Sequence, residues 1–258
     1  MRSLWIGAAG MFAGSTALDI VSHNLANVNT PGFRAGRPSF RDEISMRLLR
    51  PALAGVDGLP QVGTGVNLAA VLPDPRPGSL QATGDPYHLA IEGGGWFRLR
   101  TPEGGIVYTR DGTFTADADR RLVHGDGNLL IDEDGDPIAL PNWAEEFTIA
   151  PDGTVTAQGG DRRQRIAVLG LAVFANPTGL EALGDNLFAA TPASGGAVVV
   201  DPGTGGAGTL RQGAIEASNV DVAAEMVAMI LAQRSFQLNA RVVQTSDEMM
   251  ALANQLIR

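Results

Sequence analysis

The side chains best suited to chemistry in this sequence are three histidines, His23, His88 and His124, and a run of alternating acids, Asp132, Asp134 and Asp136. Acids at every second position beside a glycine can present carboxylate oxygens to calcium. A calcium loop of the helix-loop-helix kind also needs Gly directly after the third acid and a bidentate Glu six residues later. This chain has Pro137 and Asn142 at those places, so a polar hairpin tip is the simpler reading. None of the histidines has metal-ligand or triad residues at workable spacing around it, and His23 reads as an interface or surface residue of a terminal helix. With no Cys in the chain, disulfides, thiolate zinc sites and thiol nucleophiles are excluded. There is no Gly-x-Ser-x-Gly elbow, His-Glu-x-x-His pair or phosphate loop, and Gly93-Gly94-Gly95 lacks the strand-to-helix setting of a nucleotide site. Carboxylate pairs for glycoside hydrolysis need no local motif, and they are all that remains of an enzymatic reading. The expectation is a non-enzymatic chain with no catalytic, cofactor-binding or metal-binding residues and no cofactor.

Composition narrows the partners. Nineteen Lys and Arg against 28 Asp and Glu leave a formal net charge of −9, which disfavours a large phosphate-binding surface and sets nucleic acid aside. The 258 residues are enough for a full core in one large or two modest domains. Thirty-three Gly with only 5% aromatics point to many tight turns and short strands.

The elements that must hold any functional surface lie at the two ends. In the first segment Leu4, Met11, Leu18 and Leu25 recur every seven residues, giving one apolar stripe on a helix. Met1 to Ala17 imitates a secretory signal. The pattern runs on through Leu18, Ile20, Val21 and Leu25, as in a retained amphipathic helix. No stretch is read as reaching the ~18 apolar residues of a membrane span, so no membrane insertion is expected. Asn29-Thr30-Pro31-Gly32 should stop the helix, because Pro31 pushes Thr30 out of the α region and Gly32 tolerates unusual backbone angles. The last segment, from about Val220 to Ile257, places Val222, Met229, Phe236, Val243, Met250 and Ile257 on one row. Ser218 followed by Asp221 reads as a capping box before it. A helix of that length, about 55 Å, cannot bury its stripe against a domain of ordinary size, so the N-terminal stripe is its natural partner.

Between the helices, residues 36–83 carry six prolines and little periodicity, as an extended linking segment would. From Tyr87 to Glu216 short β-like runs recur: His88–Ile91, Trp96–Arg100, Ile106–Thr109, Leu129–Ile131, Phe147–Ala150, Arg165–Phe174 and Ala197–Val200. Glu103-Gly104, Asp111-Gly112, Asp126-Gly127 and Asp152-Gly153 supply hairpin turns. The expected fold class is α+β. A discontinuous coiled-coil domain of N- and C-terminal helices (1–35 and 217–258) holds an inserted antiparallel β-rich domain (84–216) and the extended linking segment.

The residues closing the first helix, Asn24-Leu25-Ala26-Asn27-Val28-Asn29-Thr30-Pro31-Gly32-Phe33, resemble the signature of the flagellar basal-body rod and hook protein family. The resemblance extends to Gln61-Val62-Gly63-Thr64-Gly65-Val66, Ala90-Ile91-Glu92-Gly93-Gly94-Gly95-Trp96-Phe97 and Tyr108-Thr109-Arg110-Asp111-Gly112-Thr113-Phe114. It continues through Gly184-Asp185-Asn186-Leu187-Phe188, Gly213 and Glu216-Ala217-Ser218-Asn219-Val220-Asp221. It spans nearly the whole chain in family order, and it fits the distal-rod branch better than the proximal-rod paralogue or the much larger hook protein. Gly94 and Trp96 depart from commoner residues of the family turn, and segment 36–83 is short for some distal-rod relatives.

The resemblance implies a distal-rod subunit of the basal body, exported without a cleaved signal and stacked helically into a hollow shaft that crosses the periplasm, lines the export channel and carries torque. Its implied partners are copies of itself, proximal rod proteins, the hook protein, the P-ring and L-ring proteins, and the type III export apparatus with its rod cap. Leu4, Met11, Leu18, Leu25, Val222, Met229, Phe236, Val243 and Met250 are expected to pack the helices and subunits. Asn24, Asn27, Thr30, Pro31, Gly32 and Phe33 are expected to end the helix and set subunit registry. Two alternatives stand beside this: the proximal-rod paralogue, and a secreted β-rich protein that binds or cleaves cell-wall polysaccharide.

Overall fold

The computed structural model describes residues 2–43, 46–47, 61–63, 65–125 and 127–256. Ile257, Thr64 and Asp126, named above, lie outside them. The chain forms two compact units, one of Met1–Ala26, Gly36–Pro73 and Asp221–Arg258, the other of Asn27–Ala35 and Asp74–Val220. The Asn27–Ala35 turn and residues 217–220, expected with the helices, thus group with the strands.

The first unit begins with α1 (Arg2–Ala26), continues through β1 (Gly36–Asp42), β2 (Met46–Arg47), β3 (Gln61–Val62) and β4 (Val66–Pro73), and ends with α2 (Val222–Leu256). The expectation of an extended link over 36–83 is corrected for residues 36–73. β1 runs antiparallel to β4, from Gly36 opposite Pro73 to Asp42 opposite Val66, with a register slip at Ser39 and Phe40. α1 packs on both strands. A two-stranded ribbon leaves outward N–H positions unpaired, which is where Pro38 is tolerated. α2 has 35 residues, about 52 Å of helix. Its cap differs from the expected box. Asp221 is itself the N-cap, its Oδ1 accepting from the N–H groups of Ala223 (2.9 Å) and Ala224 (3.2 Å), while Ser218 accepts from Val220 N–H one turn earlier.

α1 also corrects the reading of apolar length. Ser3–Ala26 is long and apolar enough to cross a membrane by length and composition. Its Gly, Ala and Ser residues separate the large apolar ones without adding charge, and Asp19 is its one Asp, Glu, Lys or Arg.

The second unit is built of short strands: β5 (Leu80–Ala82), β6 (Leu89–Glu92), β7 (Phe97–Arg100), β8 (Ile106–Thr109), β9 (Phe114–Ala116), β10 (Leu122–His124), β11 (Leu129–Leu130) and β12 (Glu146–Ile149) lead into β13 (Thr154–Gly159) and β14 (Arg162–Val168). There follow β15 (Leu171–Val173), β16 (Glu181–Gly184), β17 (Leu187–Ala189), β18 (Val198–Val200), β19 (Thr209–Gln212) and β20 (Ala214–Glu216). Seven of them make an antiparallel sheet in the order β16-β17-β8-β7-β11-β10-β9. β12, β13 and β14 make a second sheet, and β15-β18, β6-β19 and β5-β20 pair in twos. Leu89, Phe97, Leu99, Phe114, Leu122, Leu130, Leu169 and Leu171 are fully buried between them. Phe97 and Phe114 meet edge to face, with ring centres 5.3 Å apart, the geometry their quadrupoles favour.

Helices plus an antiparallel β-rich unit bear out the α+β class. Glu103-Gly104 and Asp152-Gly153 do turn hairpins, between β7 and β8 and between β12 and β13. Asp111-Gly112 does not: it lies against β6, where a Cβ on Gly112 would come 1.5 Å from the Leu89 carbonyl oxygen. The single run expected over Arg165–Phe174 is divided at Leu169-Gly170 between β14 and β15, which lie in different sheets.

Candidate functional site

In the helical unit, α1 and α2 run antiparallel in close contact. The Ser246 hydroxyl donates to Ser3 Oγ at 2.9 Å. A Cβ on Gly7 would lie 2.8 Å from Val243 Cγ2, on Gly10 2.6 Å from the Asn239 amide, and on Gly14 3.3 Å from Phe236 N. Farther along, Asn24 Nδ2 donates to Glu225 Oε2 at 3.2 Å. Ser3, Gly7, Gly10 and Gly14 alternate four and three apart, the spacing of one helix face. Buried Val21 and Asn24 continue that row.

This seam runs beside the stripe expected on α1. Leu4, Met11, Leu18 and Leu25 are half-buried, one position round the helix from the row that makes the contact. On α2 the expected row is nearer the mark, since Phe236 and Val243 face Gly14 and Gly7. Met229 and Met250 are half-buried, whereas Val222 and Phe236 keep much of their surface exposed. Asn239, Ser246 and buried Ala232 form the other half of the α2 face, and all were missed because they are small or polar. The signal that could have found them is glycine spacing on α1, which permits close backbone approach, as in small-residue helix pairs generally.

A seam of small residues leaves the large ones outside. Trp5 is 77% exposed and Leu231 64%. Phe12 on α1, and Met226, Ile230, Leu238, Met249 and Leu252 on α2, are likewise more than half exposed. Large apolar side chains exposed together on paired helices are the mark of an interaction site.

The family-motif residues divide between the units. In the helical unit Asn24 is buried, and its amide pairs with both backbone groups of Gly36: Nδ2 donates to the carbonyl at 2.9 Å and Oδ1 accepts from the N–H at 2.8 Å. It holds the start of β1 on α1. In the β-rich unit the Thr30 hydroxyl donates to Asn27 Oδ1 at 3.1 Å, and the Pro31 carbonyl accepts from Asn186 Nδ2 at 2.9 Å. Gly32 has φ +68°, and its N–H donates to the Glu216 carbonyl at 2.8 Å. Phe33 is buried beside it.

The following residue was not foreseen. Arg34 reaches Glu216 Oε1 at 2.6 Å, and Arg110 reaches Glu216 Oε2 at 3.1 Å. The guanidinium of Arg110 also lies 5.7 Å from the centre of the Trp96 ring, within range of a cation–π contact. Burial lowers both guanidinium pKa values, that of Arg110 to about 10, against the opposing pull of Glu216. Both stay charged at neutral pH. One position after Arg110, the Asp111 carboxylate meets His124 Nε2 at 3.3 Å. Burial alone would raise the Asp111 pKa, but the close His124 ring and hydrogen bonds from Thr113 outweigh it and hold the carboxyl below the usual range.

The residues singled out for chemistry are placed otherwise. Asp132 Oδ1 accepts from Asp136 N–H at 2.8 Å, and the Arg98 guanidinium donates to the Asp132 and Glu133 carbonyls. The acidic run therefore folds as a hairpin tip, and among the described residues no group of three or more His, Cys, Asp or Glu is placed to hold a metal. His88 Nδ1 bonds the Thr83 hydroxyl at 2.8 Å, and His23 is exposed on α1.

Three segments of the chain match known families: residues 4–34 match the flagella basal body rod protein family, 90–157 the D1 domain of the flagellar hook proteins FlgE/F/G, and 211–256 the C-terminal part of the flagellar basal body rod FlgEFG proteins. The flagellar basal-body rod protein FlgG of Borreliella burgdorferi is 38% identical, with 100% of this chain and 99% of the relative covered. The chain belongs to the flagellar basal-body rod protein family. The FlgG proteins of Bacillus subtilis (38% identical, 97% of each chain covered) and Agrobacterium fabrum (37%, 100% of each) agree over the same extent. In this rod protein each matched segment contributes one member of the buried triad: Arg34 from the first, Arg110 from the second and Glu216 from the third.

Proposed function

We propose that this rod protein assembles with copies of itself through the apolar surface that the α1–α2 seam leaves uncovered. It is a structural subunit of the flagellar basal-body distal rod. The observation that carries the reading is the exposure of Trp5, Phe12, Ile230, Leu231 and Leu238 on paired helices whose own contact is made by glycine, serine and asparagine. Large apolar side chains left in water favour association that buries them, and a neighbouring copy supplies the same chemistry in return.

In this reading the paired helices act as a coiled coil forming the inner wall of a hollow helical polymer, and the shaft spans the periplasm and passes torque to the hook. Its neighbours are proximal rod proteins, the hook protein, the P-ring and L-ring proteins, and the type III export apparatus with its rod cap. Nucleic acid, cofactors, metals and catalysis play no part, which accords with relatives that are rod proteins. The helices of a dilute subunit gain order as the polymer forms, because ordering and burial then occur together.

Electron microscopy of the purified chain at rising concentration tests this, beside Leu231→Glu/Leu238→Glu. Tubes or filaments from the parent chain alone are expected. A parent chain that stays a fully helical monomer at every concentration would end the proposal.

A further inference from the structure

Glu216 is the last residue of β20, yet it sits at the centre of the β-rich unit's polar interior. Its side chain is 2% exposed, and those of Arg34 and Arg110 are 3% and 6%. Both carboxylate oxygens are fully engaged: Oε1 takes Arg34 and the N–H of Gly78 at 2.8 Å, and Oε2 takes Arg110. The partners left to Arg110 are the carbonyls of Ile91 and Gly93 and the face of Trp96. Its Nε is buried with no hydrogen-bond partner among the described residues, so loss of Glu216 leaves its charge facing two carbonyls and a ring. Arg34 keeps the Arg76 carbonyl and the field of Asp74, but Asp74 is already engaged with Arg76 at 2.6 Å.

We propose that the Arg34–Glu216–Arg110 triad is an ionic lock on the β-rich unit, which closes only when Glu216 arrives to pair with two arginines already placed by earlier parts of the chain. The strands that deliver Glu216 arrive with it. β20 pairs with β5 and β19 with β6, and Leu210 and Ala214 join the buried core. A chain made or moved from its N-terminus carries both arginines long before residue 216. Until then Arg110 would enter the interior as an unpaired cation, among the costliest groups to bury, and Arg34 with only the field of an Asp74 shared with Arg76. The unit therefore stays open while the chain is incomplete. The lock lies wholly within this unit and does not depend on how copies assemble, so the two ideas fail separately.

The test uses the full-length chain, Glu216→Gln, and the charge-free triple variant Arg34→Met/Arg110→Met/Glu216→Leu. Proteolysis of residues 74–220 should be faster in Glu216→Gln by on the order of a hundredfold, as expected when a buried charge loses its partner. The triple variant should return to within about tenfold of the parent, because no charge is then left unbalanced. If Glu216→Gln resists as the parent does, the lock is refuted. If the triple variant is as open as Glu216→Gln, specific hydrogen bonding rather than the pairing of buried charge holds the unit, and the proposal also falls. Pulse-labelled hydrogen exchange during refolding of the parent tests the order. Amides of β7 and β8 should gain protection together with those of β19 and β20, and protection of β7 and β8 first would overturn it.

Discussion

Arg34 and Glu216 come from opposite ends of the chain and meet at 2.6 Å with both side chains out of water. Arg34 also donates to the Arg76 carbonyl, so its two nitrogens tie the end of one motif to the chain around residue 76 and to the last strand. Replacing it with Met leaves Glu216 with Arg110 and the Gly78 N–H and should lower stability by about 3 kcal/mol, the low end for breaking a buried pair. Arg34→Lys keeps one charge but not the fork and should cost about 1–2 kcal/mol. Urea midpoints of the β-rich unit give the order, and equal losses for the two variants would contradict it.

Gly32 is constrained twice. Its φ of +68° disfavours any side chain, and a Cβ there would stand 2.5 Å from Asp111 N, a backbone atom that cannot swing away. Gly32→Val should cost about 3 kcal/mol or more and abolish motility in a cell relying on it. Unchanged thermal unfolding would show that the turn relaxes freely.

The seam predicts an inversion of the usual rule that large apolar residues matter most. Gly14→Val must push α2 away, because its Cβ would already press on Phe236 N at 3.3 Å, and should cost about 1–3 kcal/mol. Leu18→Ala, one step off the contacting row, should reduce helix content less. Circular dichroism of the two variants at one concentration decides, and a larger loss in Leu18→Ala would restore the leucine stripe as the seam.

Charges placed on the exposed helix face should separate folding from assembly. Leu231→Glu/Leu238→Glu alters two side chains that are largely in water, so the unfolding midpoint should stay within about 0.5 kcal/mol of the parent. Filament formation, followed by light scattering, should disappear. Filaments at the parent's concentration threshold would place the interface elsewhere.

Acid should act through Asp111. Its folded-state pKa lies below the ordinary value, so the stability it contributes is present above about pH 4 and is lost as pH falls through the depressed value. Asp111→Asn lacks that contribution throughout. The stability gap between parent and variant should therefore narrow as pH falls below about 4 and through the depressed folded-state value, and a constant gap would remove Asp111 from the acid response.

The terminal helices were legible because each is long, rhythmic and free of internal proline. Six β-like runs were legible as well, being apolar or β-branched, and a seventh, Arg165–Phe174, joined two strands into one. β13, with the sequence Thr-Val-Thr-Ala-Gln-Gly, and the three-residue strands β5, β9 and β20 were not. Their partners, rather than their own side chains, make them strands. The prolines of segment 36–83 suggested a link because propensity cannot show that β4 waits opposite β1.

The helical ends, the α+β class, the lack of cysteine chemistry and the motif blocks that carry the family can all be read along the chain. Those are local properties, written in periodicity and short-range spacing. Only the tertiary structure decided which face of α1 meets α2, since a periodicity reading weighs large apolar residues while close packing selects for small ones. It alone also brought Arg34, Arg110 and Glu216 together, because a buried charge finds its partner through space, and no spacing along the chain records that distance.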